Sequence, residues 1–224
     1  MVLMNKIDLI TENLNILFPN PICELYYSKD YELLLKVMLS AQTTDKRVNI
    51  VTDSLFKKYD TLDKLKTISL ENLEKYIKSI GMYKTKAKNF LGIVNNISKI
   101  GYVPNDREYL STLPGVGRKT INVVLSNLYN IPLIAVDTHV ERVSKRLGLA
   151  KETDSVLEVE NKLMEEFKNK DISKLHNQLI LFGRYKCKSK NPICNDCPFI
   201  TICKNNTKKG YNKNKSSVID KTED

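Results

Sequence analysis

One stretch of seven residues, Leu113–Lys119 with the sequence LPGVGRK, constrains the fold of this chain more than any other. Two glycines one residue apart follow a proline, and apolar residues at helical spacing begin at Ile121, so the stretch predicts a tight turn that opens a helix. A short helix is predicted directly before the turn, starting at Asp106. Helix, glycine turn and helix form a helix-hairpin-helix, a module that binds the phosphate backbone without reading sequence. We therefore assign Gly115 and Gly117 to a DNA-binding surface.

Two cations, Arg118 and Lys119, fall in the first turn of the helix that follows, where the helix dipole disfavours positive charge. An amine placed against this field is expected to hold its proton less tightly, and a neutral amine is a nucleophile. A plainer alternative is that Lys119 contacts a phosphate, which a glycine hairpin would suit. Arg118 is assigned to the DNA-binding surface together with Leu113, whose side chain we expect to pack under the turn.

The charge of the chain indicates a polyanionic partner. Its net charge is +10 and its pI is about 9.2, which suits nucleic acid or an anionic membrane surface. No apolar run approaches the roughly 20 residues that span a bilayer, so no membrane partner is expected. From residue 204 to the end, six Lys stand against three acidic residues, so this segment carries +3 and the rest of the chain +7. The segment has almost nothing apolar to bury and is predicted to be disordered.

Four of the five cysteines lie close together near the end of the chain. They are Cys187, Cys194, Cys197 and Cys203, spaced C-x6-C-x2-C-x5-C. Four thiolates at this spacing converge on a metal, and soft sulfur ligands select zinc or an iron–sulfur cluster, two alternatives that the spacing alone leaves open. We expect a structural metal in a reducing, intracellular setting. Arg184 and Lys190 are assigned to phosphate contacts, because a loop folded by a metal would present its basic residues rigidly.

Hydrophobic periodicity predicts helices along nearly the whole chain. No convincing pair of alternating strands is present, so the fold class is all-α. Helix starts are predicted at Asp30, Asp45, Ser69, Asp106, Asp137 and Ser155, the last with Glu158 completing a capping box. The final helix is predicted over 175–182, and Gly81 marks a break. Beyond this break, Lys84, Lys86 and Lys88 are interpreted as a solvated face.

The motifs in combination resemble the endonuclease III family. LPGVGRK is followed by VDTH at Val136–His139, by GRYKC at Gly183–Cys187 and by the four-cysteine spacing. This family comprises iron–sulfur DNA glycosylases and abasic-site lyases of base-excision repair. The resemblance runs from about Tyr31 to Cys203 and implies two helical domains with the active-site cleft between them. One is a six-helix barrel containing the helix-hairpin-helix, and the other is a [4Fe-4S] cluster domain.

The resemblance divides the chain into four expected segments. They are an N-terminal helix packing with the cluster domain (1–21), the six-helix barrel (22–132), the iron–sulfur cluster domain (133–204) and a disordered basic tail (205–224). The resemblance also implies that the four cysteines bind a [4Fe-4S] cluster rather than zinc. We expect the chain to act as a monomer.

The resemblance further implies roles for individual residues. Lys119 matches the catalytic lysine, which attacks C1′ of the damaged nucleotide, displaces the base and forms a Schiff base that leads to β-elimination. Asp137 matches the catalytic aspartate, and its plain alternative, capping the following helix, is compatible with that role. Gln42 matches the residue that fills the space left by an extruded base. Met82 matches an apolar wedge that is commonly leucine in the family.

The expected function is a bifunctional N-glycosylase and β-lyase that removes oxidised pyrimidines, and the expected partner is double-stranded DNA containing damaged pyrimidines or abasic sites. The expected setting is the prokaryotic cytoplasm, with the enzyme associated with the nucleoid through DNA. One alternative is a mismatch-specific adenine glycosylase of the same scaffold, although that relative lacks the hairpin lysine. Another is a non-catalytic iron–sulfur DNA-binding module, which leaves Lys119 and Asp137 without a role. Of the two histidines, His139 is interpreted as structural, and His176 has no evident partner.

Overall fold

The computed structural model describes residues 5–205, and within this range the chain is helical and contains no strand. This confirms the predicted all-α class. Met1–Met4 and, apart from Asn205, the predicted disordered tail lie outside the described residues. No helix in the described range is both long and apolar enough to cross a membrane. The helices are α1 (Lys6–Leu17), α2 (Asp30–Leu39), α3 (Asp45–Lys58), α4 (Leu62–Lys66), α5 (Leu70–Ile77), α6 (Tyr83–Ile100), α7 (Arg107–Thr112), α8 (Arg118–Tyr129), α9 (Thr138–Arg146), α10 (Val156–Glu166) and α11 (Ile172–Leu181).

The first hydrophobic core is built around α2, whose residues from Tyr31 to Leu39 are all buried. A helix that is buried on every side needs partners around it, and α2 packs against α3, α6 and α8. The short helices α4 and α5 both pack against α6. The buried residues of this core run from Leu25 to Leu125, so α7 and α8, joined by the glycine turn, belong to it.

The second hydrophobic core joins the N-terminal helix to the C-terminal half of the chain. Ile10 and Leu14 of α1 pack with buried residues between Ile134 and Phe199. Helix α1 lies against α11, and α9 lies against both α10 and α11. The rings of Phe182 and Phe199 meet edge to face, with 5.1 Å between their centroids. The two cores support the expected division of the chain, whose segment boundaries stay a prediction.

Capping hydrogen bonds confirm four of the predicted helix starts. Side-chain oxygens accept from backbone amides at Ser69, Asp106, Asp137 and Ser155, and Glu158 completes the capping box. Helices α2 and α3 begin at Asp30 and Asp45, as predicted, but the N-cap positions are Lys29 and Thr44, so Asp30 and Asp45 are not the caps. Asp30, now inside α2, accepts from the amide of Val103 at 2.6 Å. Asp45, inside α3, forms an ion pair instead.

Two elements are absent from the sequence-based prediction. Helix α4 is five residues long, too short for a helical hydrophobic pattern to stand out. The second missing element is a π-helical turn at Phe182–Lys186, which directly follows the final helix, Ile172–Leu181. Such turns are rare and are frequent at functional sites. This one leads directly into Cys187, the first of the four clustered cysteines.

Candidate active site

The glycine turn between α7 and α8 has the form that the sequence predicts. Gly115 has φ +74, and a Cβ there would lie 2.4 Å from Asn89 Nδ2, so only glycine fits without strain. Leu113 is 3% exposed and packs under the turn, so only its backbone is within reach of DNA. Gly117 forms the N-cap of α8 and has no side chain to bond the first amides of the helix. These amides are therefore available to an anion.

The two cations at the start of α8 have different surroundings. Arg118 forms an ion pair with Glu160 of α10, with 2.7 Å between Nη2 and Oε1 and a second bond from Nε. This pair links the two cores, and the carboxylate offsets the charge that Arg118 would present to DNA. Lys119 is exposed, and its ammonium makes no hydrogen bond or ion pair within the described range. Lys119 is therefore the cation that this turn leaves available for chemistry.

Asp137 caps α9 through one carboxylate oxygen. Its Oδ1 accepts from the backbone amides of His139 at 2.9 Å and Val140 at 2.8 Å. Hydrogen bonds from helix amides fix the orientation of a carboxylate, and these two leave Oδ2 for another partner. The capping role is therefore present, and it does not prevent a catalytic one.

Lys119 and Asp137 line one cavity although they belong to different cores. The cavity is lined by α2 and α8 from the first core and by α11 from the second. Lys119 and Asp137 also line a larger groove of about 1760 Å³, together with Gln42 and Tyr185. The cleft expected between two helical units is therefore present, and both predicted catalytic residues lie along it.

His176, which has no evident partner in the sequence, lines this cavity and is 1% exposed. Its Nδ1 accepts from the backbone amide of Ala135 at 3.3 Å. Burial lowers the pKa of the imidazole to about 4, with Asp137 opposing this shift and Lys119 reinforcing it. His176 is therefore neutral near pH 7. Its place could have been found from its spacing to Leu179 on the buried face of α11.

His139 is structural, as interpreted from the sequence, and belongs to a set of contacts that hold the cysteine-bearing loop. Its Nδ1 lies 3.2 Å from the guanidinium of Arg142, which also donates to the carbonyls of Gly183 at 2.7 Å and Cys187 at 3.1 Å. Arg146, one turn further, donates to carbonyls later in the same loop. Helix α9, whose cap lies at the cavity, therefore also anchors the loop.

Gln42 and Met82, the two residues expected to enter the duplex, share an uncommon backbone conformation. Both are exposed, and both lie in the left-handed region with φ +55 and +57. The other described non-glycine residues with positive φ are asparagine or aspartate, which tolerate this region better. Strained backbone of this kind concentrates at functional sites, which favours a role for both residues.

Lys86 contradicts the interpretation of a solvated lysine face on α6. Lys84 and Lys88 are exposed as interpreted, but Lys86 is 4% exposed. A signal for this burial was present in the sequence, because Lys86 lies four residues before Phe90 on the apolar face of the helix.

The buried ammonium of Lys86 connects the two loops that carry the left-handed residues. Its Nζ donates to the carbonyls of Leu39 at 2.8 Å and Ala41 at 2.5 Å, on the N-terminal side of Gln42. Its backbone amide donates to the carbonyl of Met82 at 3.0 Å. This last bond is the first backbone bond of α6, whose N-cap is Met82, so the ammonium of Lys86 ties the Gln42 loop to the helix that Met82 begins.

Arg184 and Lys190, both assigned to phosphate contacts, have different environments. Lys190 is exposed. Arg184 is half-buried and forms ion pairs with Glu24 and with Asp45, the latter at 2.9 Å. Its guanidinium therefore ties the π-helical turn to the first core along the groove. The phosphate role of both residues stays a prediction, and at Arg184 a phosphate would compete with two carboxylates.

The four clustered cysteines are free thiols that line one pocket. The rings of Phe182 and Phe199 line it as well, and Arg146 donates to the Sγ of Cys187 at 3.3 Å. Within the described range, no three His, Cys, Asp or Glu side chains are arranged as a metal-binding group. The donor set still fits a thiolate-bound metal or cluster, because four free sulfurs and no carboxylate are among the described lining residues.

An unpaired lysine at a helix-hairpin-helix and a helix-capping aspartate line one cavity between two helical cores, an arrangement that defines a class of DNA base-excision proteins. Comparison with known families gives the same class. The chain belongs to the HhH-GPD superfamily of base excision DNA repair proteins, whose family model matches residues 35–169.

Curated relatives narrow this assignment to proteins named endonuclease III. The chain is 46% identical over 215 residues to the endonuclease III of Bacillus subtilis, with 93% of this chain and 96% of the relative covered. It is 47% identical over 205 residues to that of Rickettsia conorii, with 90% and 95% covered. The resemblance to the endonuclease III family inferred from the motifs is therefore confirmed.

Solved structures show the same similarity. A non-covalent endonuclease III–DNA complex is 46% identical with a TM-score of 0.86, and 92% of this chain and 98% of that chain are covered. A trapped endonuclease III–DNA covalent intermediate is 45% identical with a TM-score of 0.85, and the coverage is 92% and 99%. A thermostable thymine-DNA glycosylase, at 20% identity and a TM-score of 0.80, shows that the fold itself is shared more widely.

Proposed function

We propose that this protein is a base-excision repair enzyme, a DNA N-glycosylase and abasic-site β-lyase that acts on duplex DNA. The observation that carries the proposal is that Lys119 and Asp137 line one cavity from two different cores. The ammonium has no partner among the described residues, and helix amides hold the carboxylate. We assign Lys119 as the nucleophile and Asp137 as the residue that stabilises positive charge.

The chemistry follows from the position of these two groups. An amine reaches C1′ only after the nucleotide leaves the helix stack, which costs roughly a few kcal/mol and less where damage has weakened stacking. The neutral amine of Lys119 forms a bond to C1′ while the bond from C1′ to the base breaks, and the base leaves with a proton. The carboxylate of Asp137 stabilises the positive charge that develops on the sugar. The C1′–O4′ bond of the resulting aminal then breaks, O4′ takes up a proton, and the amine of Lys119 becomes a Schiff base at C1′. This Schiff base acidifies the C2′ proton, whose loss expels the 3′ phosphate and cuts the strand.

The substrate class rests on similarity. The curated relatives are named endonuclease III, and two similar structures are complexes with DNA, one of them a trapped covalent intermediate. We propose oxidised pyrimidines and abasic sites in duplex DNA as substrates of a monomer in the bacterial cytoplasm. The presence of Lys119 favours this reading over a mismatch-specific adenine glycosylase, the relative without that lysine.

We assign Cys187, Cys194, Cys197 and Cys203 to a [4Fe-4S] cluster, which four cysteine thiolates suffice to hold. When bound, the cluster would crosslink the end of the folded chain and stiffen the basic loop that carries Lys190. Arg142 and Arg146 already hold that loop against α9 through its carbonyls. The assigned role is therefore structural.

The substitution Lys119→Gln tests the proposed function, with Lys88→Gln, which changes an exposed lysine of α6, as its matched control. Lys119→Gln removes the nucleophile and leaves the hairpin amides in place, so borohydride trapping on an abasic-site duplex and strand cutting should both disappear. Binding to the same duplex should persist. Lys88→Gln should behave like the parent.

Two results would contradict the proposal in different ways. Trapping of the Lys119→Gln variant would show that another amine is the nucleophile. A parent protein that binds duplex DNA but neither releases a base nor cuts at an abasic site would favour the non-catalytic DNA-binding module.

A further inference from the structure

A buried histidine lines the cavity from α11 with one hydrogen-bonding atom unused. His176 is 1% exposed and lines the cavity together with Lys119 and Asp137. Its Nδ1 accepts from the backbone amide of Ala135, whereas its Nε2 is buried without a partner among the described residues. The mechanism proposed for Lys119 and Asp137 does not use this atom.

The hydrogen bond from Ala135 fixes which ring nitrogen carries the proton. A nitrogen that accepts from an amide is unprotonated, so in the neutral ring the proton lies on Nε2. Complete burial beside Lys119 keeps the ring neutral, in agreement with its lowered pKa. Nε2 is therefore a fixed N–H donor on a ring that lines the cavity.

A buried donor without an acceptor destabilises a folded protein, and native structures keep few of them. The carboxylate of Asp137 lies close enough to affect the pKa of His176, yet it does not accept from Nε2. The ring that lines the cavity thus carries a donor whose acceptor is missing from the described residues. An acceptor that enters with the occupant of the cavity would remove this penalty.

We propose that Nε2 of His176 donates a hydrogen bond to an oxygen atom in the occupied cavity, either a carbonyl oxygen of the extruded pyrimidine or a water molecule beside the sugar. The inference rests on the proposed function. A neutral donor suits this chemistry, because a departing pyrimidine gathers negative charge on its carbonyl oxygen. An imidazolium would instead oppose the positive charge that forms at Lys119 and on the sugar.

Two substitutions separate the roles of the two ring nitrogens. His176→Asn keeps an oxygen near the place of Nδ1, where it can accept from Ala135, and removes the Nε2 donor. His176→Gln places its amide nitrogen near Nε2 and keeps that donor. We expect His176→Asn to retain the melting temperature of the parent and to lower kcat for base release by about 10²-fold, with KM little changed. His176→Gln should keep most of kcat.

Two substrates identify the acceptor. If His176→Asn loses base release from a damaged-pyrimidine duplex but still cuts a preformed abasic site, the acceptor is the pyrimidine carbonyl. If both reactions are slowed, the acceptor is a water molecule. The inference would be overturned if His176→Asn acted on both substrates as fast as the parent. It would also be overturned if, in both His176→Asn and His176→Gln, kcat fell only in proportion to a fall in melting temperature. Absence of base release by the parent would instead refute the proposed function on which the inference rests.

The tautomer can be measured in the parent protein without a substitution, which keeps the inference testable even if the variants fail to fold. The chain has two histidines, so nitrogen-15 spectra of histidine-labelled protein contain few ring signals. We expect His176 to show the neutral Nε2–H form from about pH 5 to about pH 8. An Nδ1–H ring or an imidazolium at neutral pH would overturn the inference.

Discussion

Single side chains at the cavity combine an observed role in folding with a proposed chemical role. Asp137 caps α9 through Oδ1, and the loss of such a cap costs about 1 kcal/mol. An alanine substitution would therefore weaken the fold and the chemistry together. Asparagine caps a helix about as well as aspartate but carries no charge, so it separates the two roles.

Asp137→Asn should keep the melting temperature of the parent and lose base release by at least about 10²-fold, the usual scale for a lost electrostatic or acid–base group. Cutting at a preformed abasic site should suffer less, because no base has to leave. Thermal melting, base release and abasic-site cutting measure these effects separately. Normal base release by the variant would reduce Asp137 to a helix cap.

The burial of His176 predicts a loss of stability in acid. Its pKa falls from 6.5 to about 4 on folding because burial penalises the charged ring, with Asp137 opposing and Lys119 reinforcing the shift. The unfolded chain therefore takes up the proton first, so this contribution to stability is complete above pH 6.5 and is lost toward pH 4. The loss is about 1.4 kcal/mol per pH unit within this window.

Denaturant unfolding of the parent and of His176→Gln at matched pH values measures this contribution, because other titrating groups are common to both. The difference in unfolding free energy between them should shift in favour of the variant as the pH falls through the window. A difference that stays constant with pH would show that His176 is not buried as a neutral ring.

Sequence motifs pointed to Lys119 and Asp137. The surroundings of the other site residues depend on tertiary contacts. Lys119 and Asp137 are visible because a glycine turn and a capping position leave local signatures. The partner of Arg118 is Glu160, 42 residues away, and no local pattern could reveal this pair. The sequence therefore predicted that Arg118 contacts DNA, but it did not predict the ion pair between Arg118 and Glu160.

The two glycines of the hairpin have different structural reasons to be glycine. Gly115 needs a positive φ and lies against Asn89, whereas Gly117 has φ −96 and nothing within 4 Å of its missing Cβ. The first position is therefore constrained by the fold. The fold leaves space for a side chain at Gly117, and the lack of one leaves the first amides of α8 uncapped.

The same substitution at both glycines should give opposite results. Gly115→Ser should destabilise the protein by about 1–2 kcal/mol or more, because it combines a left-handed residue with a close contact. Gly117→Ser should leave stability unchanged or raised, since serine is a good N-cap, but should weaken DNA binding by occupying the amides meant for phosphate. Melting and duplex affinity test both variants. Unchanged affinity in Gly117→Ser would place the phosphate elsewhere.

Helices could be predicted where the sequence shows both a capping residue and an apolar face. They could not be predicted where packing against distant segments determines the backbone conformation. Ser69 and Asp106 indicate the starts of α5 and α7, because each N-cap lies next to a run of apolar residues at helical spacing. The π-helical turn depends on close packing, since a Cβ at Gly183 would lie 2.8 Å from the Cβ of His139. Such an approach between distant segments leaves no periodic signal in the chain.

Ionic contacts join the two halves of the molecule on both sides of its cleft. Arg118 of the first core pairs with Glu160 of the second, and Arg184 reaches back to Glu24 and Asp45. The net charge of +10 predicted a polyanionic partner but could not distinguish cations that face DNA from cations that hold the cleft. The all-α class follows from the sequence pattern and the two helical units from the family resemblance, whereas the pairing across the cleft requires the folded chain.

The cluster assignment makes a prediction for the whole molecule. Purified protein should be yellow-brown, with about four irons and four sulfides per chain and little zinc. Cys197→Ser should reduce the soluble yield and the iron content, because the proposed cluster would crosslink the end of the folded chain. Cys23→Ser, outside the cysteine pocket, should keep the iron content of the parent. Stoichiometric zinc without sulfide in anaerobically purified protein would refute the assignment.

The anchor formed by Lys86 has a consequence for how the duplex would be distorted. The buried ammonium holds the Gln42 loop, and Met82 lies at the N-cap of the same helix, so the structure without DNA already has both left-handed residues in place. The conformational entropy of these loops is then lost when the protein folds and not when it binds DNA. The protein surface would act as a rigid template, and nearly all of the deformation would occur in the DNA.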